Sequence, residues 1–161
     1  MAKGAPRKAM SKAIMAIDPG QKGAIAWVDA NEVCYVENMP DTPYGILDRI
    51  RSIRETCGIE VCYLEDVGYG MPGQSSSATA KFARHNGHLE MALMSVGVKI
   101  VRLTPQKWEK RLGFGSSKGM SKLEWKRKLK QRSQELFPQF KVTLNNSDAL
   151  LLLETGRQLE R

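Results

Sequence analysis

Three carboxylates stand where chemistry is possible. Asp18 follows the apolar run Ala13-Ile14-Met15-Ala16-Ile17 and precedes Pro19-Gly20, where a strand gives way to a Gly-rich turn. A carboxylate there is carried by a rigid strand, and the small residues beside it let a phosphate or a metal approach closely. The bland alternative is an Asp-Pro-Gly turn that simply joins two hairpin strands. Glu65 closes a second apolar run, Glu60 to Glu65, and Asp148 opens a helix after Asn145-Asn146-Ser147. Asp148 alone reads equally well as a residue stabilised by the helix dipole. Two neighbouring carboxylates repel unless a cation lies between them, so Asp18 and Glu65 form either a metal site or an acid–base pair with split pKa values. A third carboxylate in reach favours metal.

The elements that must position these groups follow from periodicity. Residues 13–18 and 23–29 are strands joined by Pro19-Gly20-Gln21-Lys22, and Glu32 to Glu37 alternates after Ala30-Asn31, which predicts a three-stranded antiparallel meander. Thr42-Pro43 opens a helix over Tyr44 to Thr56, with Ile46, Leu47, Ile50 and Ile53 at helical spacing and Cys57-Gly58 as its stop. The next strand, Glu60 to Glu65, is entered through that helix and is therefore expected parallel to the first and beside it. A Gly- and Ser-rich loop, a helix over 77–96, a fifth strand over 98–102, a short helix from Thr104-Pro105 to Leu112, a basic helix over 121–137 and an apolar helix over 147–158 complete the chain. Asn145, Asn146 or Ser147 would cap the last helix. The order predicts an α/β fold around one five-stranded mixed sheet, three antiparallel strands followed by two parallel ones. It places Asp18 beside Glu65 and lets the last helix deliver Asp148.

Charge is unevenly spread. Of a formal net +8, residues 1–12 carry four Lys/Arg and no acid, 13–66 carry ten acids against four bases, and 102–132 carry eleven bases against Glu109 and Glu124. Carboxylates for a cation plus a basic stretch for backbone phosphates suit a nuclease, whereas a solvated lysine-rich helix face is the plain alternative. The 161 residues, 42% hydrophobic, fit a single domain over 13–161 behind a flexible basic tail over 1–12, with an organellar leader as the alternative for that tail. No apolar run approaches the roughly 18 residues of a membrane-spanning helix. Cys34, Cys57 and Cys62 are odd in number and contain no Cys-x-x-Cys pair, which predicts a reducing, cytoplasmic setting without a disulfide framework. His85 and His88 lack a third ligand at zinc spacing, which leaves packing or phosphate contact, and Trp27, Trp108 and Trp125 are expected as core or partly buried anchors.

Ile17-Asp18-Pro19-Gly20, Leu64-Glu65-Asp66-Val67 and Ser147-Asp148-Ala149-Leu150-Leu151 resemble the three acidic motifs of RuvC-type Holliday junction resolvases, a family of RNase H-like nucleases. The order and the intervening elements agree from about residue 13 to 157, and the small phage- and chloroplast-type members are most similar. The segment from Gln74 to Lys81, Thr104-Pro105-Gln106-Lys107-Trp108 and Gly113-Phe114-Gly115 with Lys118 and Lys122 are similar to further parts of that family.

The resemblance implies an RNase H-like fold and symmetric, metal-dependent hydrolysis of four-way DNA junctions that leaves 5′-phosphate and 3′-hydroxyl ends. It implies two Mg²⁺ ions, for which Mn²⁺ substitutes, with Asp18 bridging them and Glu65 and Asp148 completing their shells. Lys118 or Lys122 would offset charge at the scissile phosphate, or remain solvated lysines. Tyr69 and Met71 would stack on or wedge bases, or be ordinary loop residues. Lys22, Gln74, Ser75, Ser76, Lys81, Arg84, Lys126 and Lys130 are the expected further DNA contacts. Two symmetric nicks call for a homodimer, with the helix over 77–95 as its interface and no small-molecule cofactor.

One position departs from the family. Where a fourth acid is usual, three residues before Asp148, this chain has Asn145, which can offer an oxygen to a metal but no charge. Either three carboxylates suffice, or Asp66 or Glu154 substitutes, or the chain is altered to trap substrate. Three functions follow as alternatives: a junction-resolving endonuclease, a less selective nuclease for flaps, branched DNA or RNA–DNA hybrids, and a junction-binding protein with a weakened centre.

Overall fold

Short apolar runs build five strands into one sheet, whose three central strands are buried on both faces. The computed structural model describes residues 10–68 and 72–161. Strands β1 (Ile14–Asp18), β2 (Ala24–Val28) and β3 (Cys34–Asn38) form the antiparallel meander, and β4 (Val61–Glu65) and β5 (Lys99–Leu103) add on in parallel, in the spatial order β3-β2-β1-β4-β5. Helix α1 (Pro43–Cys57) makes the crossover from β3 to β4. It starts at Thr42, whose Oγ1 accepts from the Gly45 N–H at 3.0 Å, and stops at Gly58, which adopts φ 69°.

The two-residue period of the strands sorts the core into two layers. Met15, Ile17, Ile25, Trp27, Cys62 and Leu64 face α1 and α2 (Ser76–Ser95), whose Ile46, Ile50, Ile53, Leu89 and Leu93 pack against them. Ile14, Ala16, Ala24, Ala26, Val61 and Tyr63 face the other way, toward α5 (Ser147–Leu159) and the helices α3 (Pro105–Arg111) and α4 (Lys122–Leu136). Ala149 to Leu153 are all buried, as their apolar run requires. The expected sheet, crossover and helices are all present, with ends displaced by one or two residues. One detail differs. Asn146 occupies the cap position of α5 but makes no capping bond, because its Oδ1 accepts from the Thr143 N–H at 2.8 Å and its Nδ2 donates to the Lys141 carbonyl at 3.3 Å. Its side chain ties down the preceding loop instead.

Residues 1–9 of the expected tail, and Tyr69 and Met71, lie outside the described residues. Lys12, at the tail's end, places Nζ 2.9 Å from Glu160 Oε2, and Tyr63 Oη donates to Glu160 Oε1 at 2.7 Å, so the start of the domain and the end of α5 meet at one carboxylate. Among the described residues no helix is long and apolar enough to cross a membrane.

Helix α5 lies close on the sheet because of what it lacks at one position. A Cβ on Gly156 would stand 2.6 Å from Tyr63 Cδ2 and 3.0 Å from Ile14 Cδ1. Neither neighbour has room to retreat, since Ile14 and Tyr63 are buried under the helix. Gly156→Ala is therefore expected to lower stability by about 1–3 kcal/mol through overpacking, despite alanine's better helix propensity, measured by urea unfolding.

Candidate active site

Parallel pairing of β1 with β4 fixes the first two carboxylates. The register runs Ile14 with Val61 through Ile17 with Leu64, so the next residues, Asp18 and Glu65, end the two central strands at the same edge. Alternation turns both toward the α5 layer, beyond Ala16 and Tyr63. Helix α5 starts at that edge, and Asp148 in its first turn is buried there. Behind Asp18 the chain turns tightly: the Gly23 N–H donates to the Gly20 carbonyl at 3.0 Å, and a Cβ on Gly23 would lie 2.0 Å from the Asp18 carbonyl oxygen. Only glycine permits that approach.

The three acids act on one another. Burial first, then the charges of Glu65 and Asp148, hold the Asp18 carboxyl well above the usual carboxylate range, while Lys126 opposes the rise. Glu65 is pushed up by burial and by Asp148, opposed by a hydrogen bond from Trp108 and by Lys126. That bond is short and buried, with Trp108 Nε1 donating to Glu65 Oε2 at 2.7 Å. Lys126 Nζ lies 2.6 Å from Asp148 Oδ2. Burial pulls the Lys126 ammonium down, but Asp148, Asp18 and Glu65 together more than offset this and raise its pKa. Lys126 is thus the cation the protein itself supplies to the centre.

Aromatic rings brace the acids from α3 and α4. Phe114 stands edge-on to both Trp108 and Trp125, with centroids 6.4 and 6.1 Å away. Trp125 Nε1 donates to Glu109 Oε1 at 3.3 Å, and Lys128 Nζ donates to the Phe114 carbonyl at 2.9 Å. The tryptophans were expected as anchors; their indole N–H groups, aimed at carboxylates, are what spacing did not reveal.

A groove of about 760 Å³ opens beside Asp18. Lys22, Gln74, Lys81, Arg84, Lys126 and Asn145 line it, together with His85 and His88. Burial first, and then His88, lower the pKa of His85. Ser75 caps α2, its Oγ accepting from the Ala78 N–H at 3.1 Å, and Ser76 is the first residue of that helix. Lys118 and Lys122 are exposed and are not among the groups acting on Asp18 or Glu65; the lysine that reaches the acids is Lys126, one turn after Lys122 on α4. Lys130 follows one turn later, half-buried. Lys122, Lys126 and Lys130 recur every four residues along α4, a spacing that does not reveal which of them meets a carboxylate.

The donor set suits a hard divalent cation, since it offers only carboxylate oxygens and carries repulsion that a cation would relieve. Among the described residues no three His, Cys, Asp or Glu side chains converge on a common ion position. Lys126 engages Asp148 Oδ2 and Trp108 engages Glu65 Oε2.

These shifts set the pH dependence of the metal-free protein. Unfolded carboxylates ionise at about pH 4, whereas Asp18 and Glu65 hold their protons to higher pH in the fold. Between those two ranges the native state binds more protons than the unfolded one, so their contribution makes stability fall as pH rises. In EDTA at pH 8, Asp18→Asn is expected to raise the melting temperature, by roughly 2–4 °C for each kcal/mol of repulsion removed. A drop would show that Asp18 stabilises the fold instead.

No protein-family model and no curated protein matches the sequence. Solved structures do match in fold. Thermus thermophilus RuvC is 15% identical, with a TM-score of 0.61 over 92% of this chain and 97% of its own. The same protein in complex with a Holliday junction substrate gives a TM-score of 0.59 at 15% identity, covering 89% of this chain and 91% of that one. The yeast mitochondrial Holliday junction resolvase Ydc2 is 14% identical, with a TM-score of 0.51 over 97% of this chain and 81% of its own. The chain therefore has the RNase H-like fold in the form that RuvC-type resolvases take.

Proposed function

We propose that this chain is a divalent-metal-dependent endonuclease that cuts four-way DNA junctions in pairs of symmetric nicks. One observation carries the reading: the ends of β1 and β4 and the start of α5 bring Asp18, Glu65 and Asp148 to one corner, at the mouth of a groove lined by Lys22, Lys81, Arg84 and Lys126. The fold neighbour solved with a Holliday junction substrate supports the same substrate class.

Asp18, Glu65 and Asp148 would hold up to two Mg²⁺ or Mn²⁺ ions, whose chemistry when bound is to acidify an attacking water and neutralise a leaving 3′-oxygen. The chain's own residues do the rest. Trp108 keeps Glu65 oriented and ionisable, and Lys126, once released from Asp148, is a mobile ammonium within reach of a phosphate in the groove. Lys22, Lys81 and Arg84 supply backbone-phosphate contacts, which set register and make binding weaken with salt.

Pairing of nicks calls for two copies. Helix α2 exposes Met91 and Met94, at 63% and 56%, on a face that also carries Ala80, Ala83 and Gly87. Exposed apolar side chains beside small residues suit a two-fold helix contact, and we assign the homodimer interface to this face.

A second reading, a junction-binding protein with a weakened centre, draws on uncharged Asn145 and on the Lys126 contact to Asp148. One assay separates them: cleavage of immobile and mobile four-way junctions, flaps and RNA–DNA hybrids in Mg²⁺ and Mn²⁺. Paired nicking of the junctions is expected, and Asp18→Asn should abolish it while binding persists. Lys126→Ala should slow nicking by roughly 10²–10³. Preference for hybrids would point to the less selective nuclease, and tight binding with no nicking in either metal to the weakened binder.

A further inference from the structure

One wall of the groove beside Asp18 carries chemistry that neither the acids nor the lysines account for. Ala78, Lys81, His85 and His88 recur at three- and four-residue spacing and all border the groove, so they form one stripe down α2. Phe82, next to Lys81, holds this stripe against the turn that follows Asp18, where a Cβ on Gly20 would stand 3.8 Å from Phe82 Cε2. The chain has two histidines, and both lie on this wall.

His85 is half-buried, and its Nε2 is enclosed without a hydrogen-bond partner. A residue kept for packing alone has no use for that nitrogen, because an enclosed polar atom left unpaired is destabilising where an apolar side chain is not. Among the described residues His85 also forms no ion pair. The charged groups around the groove are Asp18 and Lys22 at the β1–β2 turn, Asp41 before α1, Lys81 and Arg84 on α2, and Lys126 on α4. Four of these six are cations, and they suit an anion beside the imidazoles.

We propose that His85, with His88 beside it, binds a backbone phosphate on the α2 wall of the groove and takes a proton from solvent as the DNA strand enters. This rests on the DNA-binding part of the reading above and not on metal or cleavage. A phosphodiester brings a negative charge and acceptor oxygens, which favour the imidazolium and its two N–H donors. Rotation about the Cβ–Cγ bond offers either ring nitrogen to the groove. The bound state then holds a proton that the free protein lacks, so binding strengthens as pH falls and weakens as pH rises.

The test uses the full chain in EDTA at fixed salt, with a synthetic four-way junction as the probe. The Cε1–H resonance of His85, assigned with His88→Gln, is titrated by NMR with and without the junction. Its midpoint should move up by about one pH unit on binding. The junction Kd is also measured at pH 6 and pH 7.5 for the wild type and His85→Gln. Asp18 and Glu65 titrate as well, so only the difference between the two proteins belongs to His85. Over that interval the wild type should gain roughly three- to fivefold more affinity than His85→Gln. A midpoint that the junction leaves unmoved or lowers would overturn this inference alone, as would a His85→Gln protein with the full wild-type pH response. The resonance reports on the unsubstituted chain, so the test stands if His85→Gln does not fold. A wild type that binds no junction at either pH would overturn the nuclease reading, and this inference with it.

Discussion

β1 and β4 run parallel at the centre of the sheet, so their last residues, both acidic, share one edge and one face. Everything around that edge answers the repulsion this creates. Burial strengthens the repulsion by removing water, which is why Asp18 and Glu65 both resist ionisation. The surroundings relieve part of it with an indole N–H on Glu65 and an ammonium on Asp148. A structural core has little use for such an arrangement, because apolar residues at these positions would pack with no electrostatic cost. Buried, mutually repelling carboxylates of this kind cluster at functional sites, and the groove beside them is lined by Lys22, Lys81, Arg84 and Lys126.

Much of this was legible in the sequence because its signals are periodic. Apolar runs between turn residues gave the strands, helical spacing gave α1, and the crossover rule set β4 beside β1, which alone makes Asp18 and Glu65 neighbours. Asp148 followed from the start of an apolar helix. Less legible was anything that depends on how far a side chain reaches. Trp108 and Trp125 read as core or partly buried anchors, and Trp108 is one, buried edge-on to Phe114, yet its polar edge serves Glu65. Lys122, Lys126 and Lys130 share one stripe, and only the packing of α4 on α5 decides which of them meets Asp148. The cap of α5 eluded the sequence for a related reason: Asn146 has the right chemistry but spends it on the loop behind.

At 15% identity the shared fold is carried by positions and not by residues. What persists is the topology, three antiparallel strands joined to two parallel ones, because it brings strand ends and a helix start together regardless of which apolar residues fill the layers. In this chain the acids are braced by the Trp108 indole and the Lys126 ammonium, from α3 and α4, the segment of greatest positive charge.

The close seating of α5 has a consequence for time as well as shape. Gly156 against Tyr63 at one end, and the buried run from Ala149 to Leu153 along its length, leave the helix that carries Asp148 no room to shift. Any adjustment at the acids therefore falls to side chains, and foremost to Lys126, which is 38% exposed where Asp148 is 6%. Rotation of a partly exposed lysine belongs to the ps–ns range, whereas moving a packed helix belongs to μs–ms. The centre can thus change its counter-charge far faster than the fold can breathe.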